Sequence, residues 1–161
     1  MNQSYTICDI PRFANMTIHD IPRIMREAFG GDFTLAYCSF LDYFYCSPDQ
    51  QTREAMLVPE PDDALLTREQ CCQLAAAAHK LASDYDLTVP EWVHKPEYKM
   101  PEPVYAFQVE DEESRNLYEE VTPIEYASRN LFFGSRVLER ATKHRLAQFE
   151  RKGFLKHPAH S

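Results

Sequence analysis

The sequence predicts an all-α protein, an irregular bundle of five to seven helices with a proline-rich extended connection. Three observations support this. Apolar residues recur at three- and four-residue spacing over several stretches. Side chains able to take up free backbone amides stand just before those stretches. Only four glycines occur in 161 residues, too few for the turns of a β-sandwich.

Residues 1–16 hold no sustained period and read as an irregular or loosely extended arm. Thr17 or Asp20 can cap a helix whose first turn tolerates Pro22 and whose apolar stripe is Ile21, Ile24, Met25, Ala28 and Phe29. Gly30-Gly31 closes it by supplying the left-handed backbone conformation. Asp32 can then cap a second helix from Phe33 to Cys46, stopped by Ser47-Pro48. Its apolar residues run nearly all the way round, which predicts a position central to the core or shared with a partner. Tyr and Phe also suit a strand, but the length of the segment and its lack of strict alternation favour a helix.

Residues 47–66 carry Pro48, Pro59 and Pro61 with Glu60, Asp62 and Asp63, and read as a short helix near 49–57 followed by an exposed acidic linker. Thr67-x-x-Gln70 is a capping box, opening the clearest helix, which continues through Leu74, Ala77, Ala78 and Leu81 to about Tyr85. From Leu87 the prolines at 90, 96, 101 and 103 forbid a long helix. Trp92, Val93, Tyr98, Val104, Tyr105 and Phe107 lie in that stretch, so it is expected as an ordered wrap with its aromatics buried. Asp111–Val121 reads as a short acidic helix. Thr122-Pro123-Ile124-Glu125 reads as the next start, with Thr122 as the cap, and that helix ends near Asn130. Leu131-Phe132-Phe133-Gly134 is a brief apolar connection, and Ser135 caps a last helix from Arg136 to about Arg151. Residues 153–161 form a tail expected to fray. The whole, 1–161, is expected as a single domain.

The net charge is −8, distributed as +5 over residues 136–161 and −13 over the remainder. That balance disfavours general nucleic-acid binding, which needs a cationic face. Arg140, Lys143, Arg145, Arg151 and Lys152 are the residues that could touch a partner or a nucleic acid. The helix pair at 20–46 has the outline of a helix-turn-helix, yet Phe33–Cys46 offers no Lys, Arg, Asn or Gln to read bases.

Five cysteines without a basic n-region and apolar stretch at the N-terminus point to free thiols and a cytoplasmic, reducing compartment. Vicinal Cys71 and Cys72 point about 100° apart on a helix, poorly placed to pair. The 14-residue apolar segment Phe33–Cys46 carries Asp42 and is too short for a membrane span. Neither H-E-x-x-H, C-x-x-C nor G-x-S-x-G occurs. Catalytic, cofactor-binding and metal-binding residues are therefore assigned as none, and no cofactor is expected. A Cys–His pair assembled in space, Cys38 or Cys71 with His79, would escape detection by motif.

Four segments carry a resemblance: Val89-Pro90-Glu91-Trp92-Val93, Val121-Thr122-Pro123-Ile124-Glu125-Tyr126, Arg129-Asn130-Leu131-Phe132-Phe133 and Val137-Leu138-Glu139-Arg140-Ala141. They resemble a C-terminal segment of uncharacterised bacterial proteins found in toxin–antitoxin-like or mobile-element loci, some fused behind a helix-turn-helix. The resemblance covers roughly residues 74–141 and lacks the DNA-reading module. It implies no catalytic residues. It implies a structural role for Arg129-Asn130, with Arg129 hydrogen-bonding exposed carbonyls or an acidic helix such as Glu119–Glu120. The expected function is a non-enzymatic protein-interaction component, antitoxin-like or accessory, with a protein partner encoded nearby and homo-oligomerisation left open. The alternatives are a nucleic-acid-associated factor using the basic C-terminal segment, and an enzyme whose site no motif reveals.

Overall fold

Four of the six described helices start where a side chain takes up an otherwise orphaned amide. In the computed structural model, which describes residues 16–47, 49–107, 109–141 and 143, six α-helices are α1 (Ile21–Ala28), α2 (Phe33–Cys46), α3 (Gln50–Leu57), α4 (Arg68–Asp84), α5 (Glu112–Val121) and α6 (Ile124–Ala127). Asp32 Oδ1 accepts from the Leu35 amide at 3.1 Å, and Asp49 Oδ1 from Thr52 at 2.7 Å. Asp111 Oδ1 accepts from Ser114 at 2.7 Å. The capping box at α4 is reciprocal, with Gln70 N to Thr67 Oγ1 at 3.1 Å and Thr67 N to Gln70 Oε1 at 3.0 Å. Each such cap contributes about 1 kcal/mol. The chain is mostly helical, as the sequence predicts. The arm through residue 15 and the tail 153–161 lie outside the described residues.

Contacts gather the chain into two compact units. One holds the described residues up to Pro61 together with those from Glu139, and the other is Asp62–Leu138. The division at Pro61 falls within the acidic proline-bearing segment.

In the first unit, Asp20 stands at the cap position of α1 without capping it by a side-chain bond, and its carboxylate instead accepts from Thr17 N at 2.8 Å. Gly30 and Gly31 take φ of +58° and +90°, and the Gly31 amide donates back to the Met25 carbonyl at 2.9 Å. This turn lays α1 against α2. Ala36, Phe40 and Phe44 of α2 are 0% exposed, the four-residue repeat that defines its buried stripe. Arg53 of α3 is also buried and donates Nε to the Phe44 carbonyl at 3.4 Å.

The second unit is organised around α4. Leu74 to Ala78 are five consecutive residues at 0% exposure, so this helix is covered on every side there. Small alanine side chains let neighbours approach its backbone closely. Those neighbours include α6 and the turns at Glu91–His94 and Pro96–Tyr98. Trp92, Val93 and Tyr98 are buried, with Trp92 and Tyr98 edge to face at 5.8 Å. The proline-rich stretch is thus an ordered wrap. Phe107 departs from that expectation at 97% exposure, because the chain turns outward after the strand that precedes it.

Two short strands went unforeseen. β1 (Val104–Tyr105) and β2 (Leu131–Phe132) pair in parallel, with Val104 opposite Leu131 and Tyr105 opposite Phe132. Their bonds run from Val104 N to Asn130 O at 2.8 Å and from Ala106 N to Phe132 O at 3.2 Å. Asn130 sets the register: it takes φ +61° and its Nδ2 donates to the Met100 carbonyl at 2.7 Å.

Two helix assignments are corrected. Thr122 closes α5 instead of capping α6: its amide and hydroxyl both donate to the Tyr118 carbonyl, and its Oγ1 accepts from Gly134 N at 3.0 Å. Pro123 takes the cap position, and α6 ends at Ala127, three residues short of Asn130. The last helix begins later than Arg136, with Ala141 and Lys143 its described helical residues. Residues 135–138 are turns and 139–140 are irregular, because burial of Leu138 and an ion pair from Arg140 fix the path of the chain. Helix propensity of a few tenths of a kcal/mol per residue, about what these residue types offer, does not outweigh that.

Gly134 is a sharp point in this arrangement. Its φ is +93°, and a Cβ added there would stand 3.1 Å from Tyr118 Cε1. Gly134→Ala is expected to destabilise the second unit by about 2 kcal/mol. That exceeds the roughly 1 kcal/mol expected for Thr67→Ala. Urea titration followed by emission of Trp92, the sole tryptophan, measures both.

Candidate functional site

The basic residues singled out by sequence are the first to place. Arg140 Nε and Nη2 donate to the two oxygens of Asp42 at 3.1 and 2.9 Å, a bidentate pair between residues 98 positions apart. The carboxylate raises the Arg140 pKa above its ordinary value. The Lys143 ammonium lies 5.5 Å from the centre of the Tyr45 ring, within cation–π range. Arg145, Arg151 and Lys152 lie outside the described residues. A guanidinium whose Nε/Nη2 edge is held by a carboxylate keeps only its Nη1 side for a phosphate.

A second polar cluster lies inside the Asp62–Leu138 unit. Arg129 is 6% exposed. Its Nη1 donates to the Glu125 carbonyl at 2.7 Å and its Nη2 to the Val93 carbonyl at 2.8 Å. Nη1 also stands 3.3 Å from His79 Nδ1. A guanidinium only donates, so His79 accepts through Nδ1 and carries its proton on Nε2. His94 packs edge-on against His79 at 5.3 Å. Burial first, then the Arg129 cation, push His79 below its ordinary 6.5, with Glu125 opposing and His94 adding to the fall. The carbonyl role foreseen for Arg129 therefore holds, and its partners are not Glu119–Glu120. Chemically this is a staple: it has a neutral acceptor and a fixed cation but no nucleophile between them.

A cavity of about 730 Å³ opens beside the start of α4, lined by Asp63, Leu66, Arg68, Cys71, Pro96, Glu97 and Tyr98. Arg68 Nη2 donates to the Lys99 carbonyl at 2.8 Å. No histidine lines this cavity, so the Cys71–His79 pairing is not assembled there. Its neighbour Cys72 is fully buried, and burial raises that thiol above its ordinary value, keeping it protonated. The four described cysteines are free.

The third feature is the surface of α5. None of its ten residues is buried. It rests on its unit through half-buried Ser114 and Tyr118, with Arg115 stacked 5.4 Å from the Tyr105 ring and the Tyr105 hydroxyl donating to Glu119. Leu117 and Val121, four apart and so on one face, remain 54% and 41% exposed. Ile124, just beyond, is 72% exposed. Across residues 110–125 stand seven carboxylates and one arginine. The sequence reading saw the acidity of this helix and missed the Leu117–Val121 spacing, which was the available signal.

Among the described residues, no group of three or more His, Cys, Asp or Glu side chains could hold a metal ion. No described helix is long and apolar enough to cross a membrane. No protein-family model matches the chain, and neither a curated protein nor a solved structure matches it.

Removing Arg129 leaves two buried carbonyls and His79 without their donor. Arg129→Ala is expected to destabilise the Asp62–Leu138 unit by about 3 kcal/mol in urea titration. His79 gives a pH signature. Its folded pKa is depressed, so the unfolded chain takes up the proton first as pH falls. Its contribution to stability is complete above its ordinary 6.5 and is lost as pH falls from there toward the folded value. His79→Asn keeps an acceptor toward Arg129 and should flatten that loss, read from urea midpoints at neutral and mildly acidic pH.

Proposed function

We propose that this protein is a non-enzymatic protein-interaction component, an antitoxin-like or accessory protein of a bacterial toxin–antitoxin-like system. The observation that carries this reading is α5, an amphipathic helix with no buried residue that leaves Leu117 and Val121 in solvent. Phe107 and Ile124 in the same unit are exposed as well. Large apolar side chains gathered at a surface favour a covering partner. The resemblance of segments 89–93, 121–126, 129–133 and 137–141 to proteins of such loci supports the biological setting. The net −13 outside residues 136–161 suits a partner with a basic surface. A nucleic-acid role would rest on Arg145, Arg151 and Lys152, since Arg140 is held by Asp42.

Co-expression with the product of the adjacent gene tests the proposal. Stoichiometric co-elution in size exclusion is expected, with a higher unfolding midpoint for the complex than for the chain alone. Elution of the two products apart would defeat it. Titration with duplex DNA and with RNA at about 50 mM salt is expected to give no saturable binding, given the net negative charge.

A further inference from the structure

We propose that the face built on Leu117, Val121 and Ile124 is the docking surface, and that its occupant is a partner helix whose apolar stripe is flanked by Lys and Arg. This rests on the protein-interaction reading and names the surface and the chemistry of the partner.

Leu117 and Val121 lie one helical turn apart, and Ile124 follows Val121 by three residues, within about 10 Å along the chain. Leu117 and Val121 form a short apolar row on the outside of the unit, and Ile124 is a third exposed apolar residue just beyond it in the chain. The edge of the row is acidic by the same helical arithmetic. Glu113 is four residues before Leu117 and Glu120 three after it, so both carboxylates neighbour that side chain. Both are exposed, and neither has an ion pair among the described residues. The one cation of the segment, Arg115, is turned to the Tyr105 ring.

Charge decides between occupants. A second copy set face to face would bring the same acidic edge, Glu113 and Glu120, against its own like. A nucleic acid or an anionic lipid surface meets the same repulsion. An apolar ridge edged by Lys or Arg buries the row and pairs Glu113 and Glu120. Apolar anchors would supply affinity and the charged edge would supply rate and selectivity. An amphipathic helix matches a row one to two turns long, by the spacing that helix-in-groove recognition uses.

The test uses the full chain and a labelled amphipathic peptide of about 20 Leu and Lys residues, long enough to hold a helical face. A counterpart with Glu replacing Lys is the control. The Leu/Lys peptide is expected to bind, and Leu117→Ser with Val121→Ser to weaken it at least tenfold at every salt concentration. Glu113→Gln with Glu120→Gln is expected to weaken it several-fold at low salt only. Val58→Ser, at an equally exposed apolar residue of the other unit, should leave binding unchanged. Far-UV circular dichroism and Trp92 emission verify that each variant is folded. No binding of the Leu/Lys peptide, equal binding of the Glu peptide, or indifference to the Leu117/Val121 change would each overturn the assignment. The same variants are then co-expressed with the adjacent gene product. Capture by wild type and by Leu117→Ser/Val121→Ser alike removes this face and leaves the interaction role standing. Capture by neither removes that role, and the peptide arm still decides the face.

Discussion

Three elements that the sequence keeps far apart meet at one guanidinium. Arg129 lies 36 residues from the carbonyl it binds at Val93 and 50 from the imidazole it binds at His79. A cation taken out of water is tolerated only when its donors find acceptors, and here carbonyl oxygens and a neutral histidine serve where a carboxylate might have. Carbonyls cannot be protonated, so the arrangement survives acid better than an ion pair would. Its weak point is His79, the one acceptor of the three able to take up a proton, although burial holds its pKa below the ordinary value. Around this staple, α4, the Trp92 turn and α6 hold their places, and the path from Asn130 into β2 begins at the next residue.

The fixed path after Arg129 determines what the surface displays. Asn130 at positive φ turns the chain into the short parallel strand, Gly134 passes close beneath Tyr118, and Thr122 joins the end of α5 to the Gly134 amide. These contacts hold α5 by one narrow face. Leu117 and Val121 are left 54% and 41% exposed, and the exposed row is therefore a product of how α5 is held as well as of its composition. A helix docked by a wider face would have buried Leu117.

Polar residues here divide by what their partners leave unused. Arg53, Arg129 and Arg140 each donate to groups within their own unit, and these bonds hold structure. Glu113 and Glu120 face water. Charge available for recognition beside Leu117 is therefore acidic, and that sign, more than any motif, narrows the partner.

Local signals were legible in the sequence. Asp32 and Thr67 cap the helices expected of them, because a cap needs only a side chain within three residues of its amide. Gly30-Gly31 turns as read, for the same local reason. The wrap at 87–105 was legible because proline forbids helix whatever surrounds it. The failures all involve distant residues. Thr122 found Gly134, Arg140 found Asp42 and Val104 found Asn130, and in each case a tertiary bond redirected a segment whose local preference was weak. The candidate face was half legible: its acidity and its i, i+4 apolar pair are in the sequence, but their exposure is not. By itself the sequence determined the helical class, the helix starts and the proline wrap, since these depend on bonds spanning a turn or less. Only the tertiary structure decided which polar groups are consumed in holding the fold and which apolar ones are left to face solvent, since that depends on neighbours up to 98 residues away.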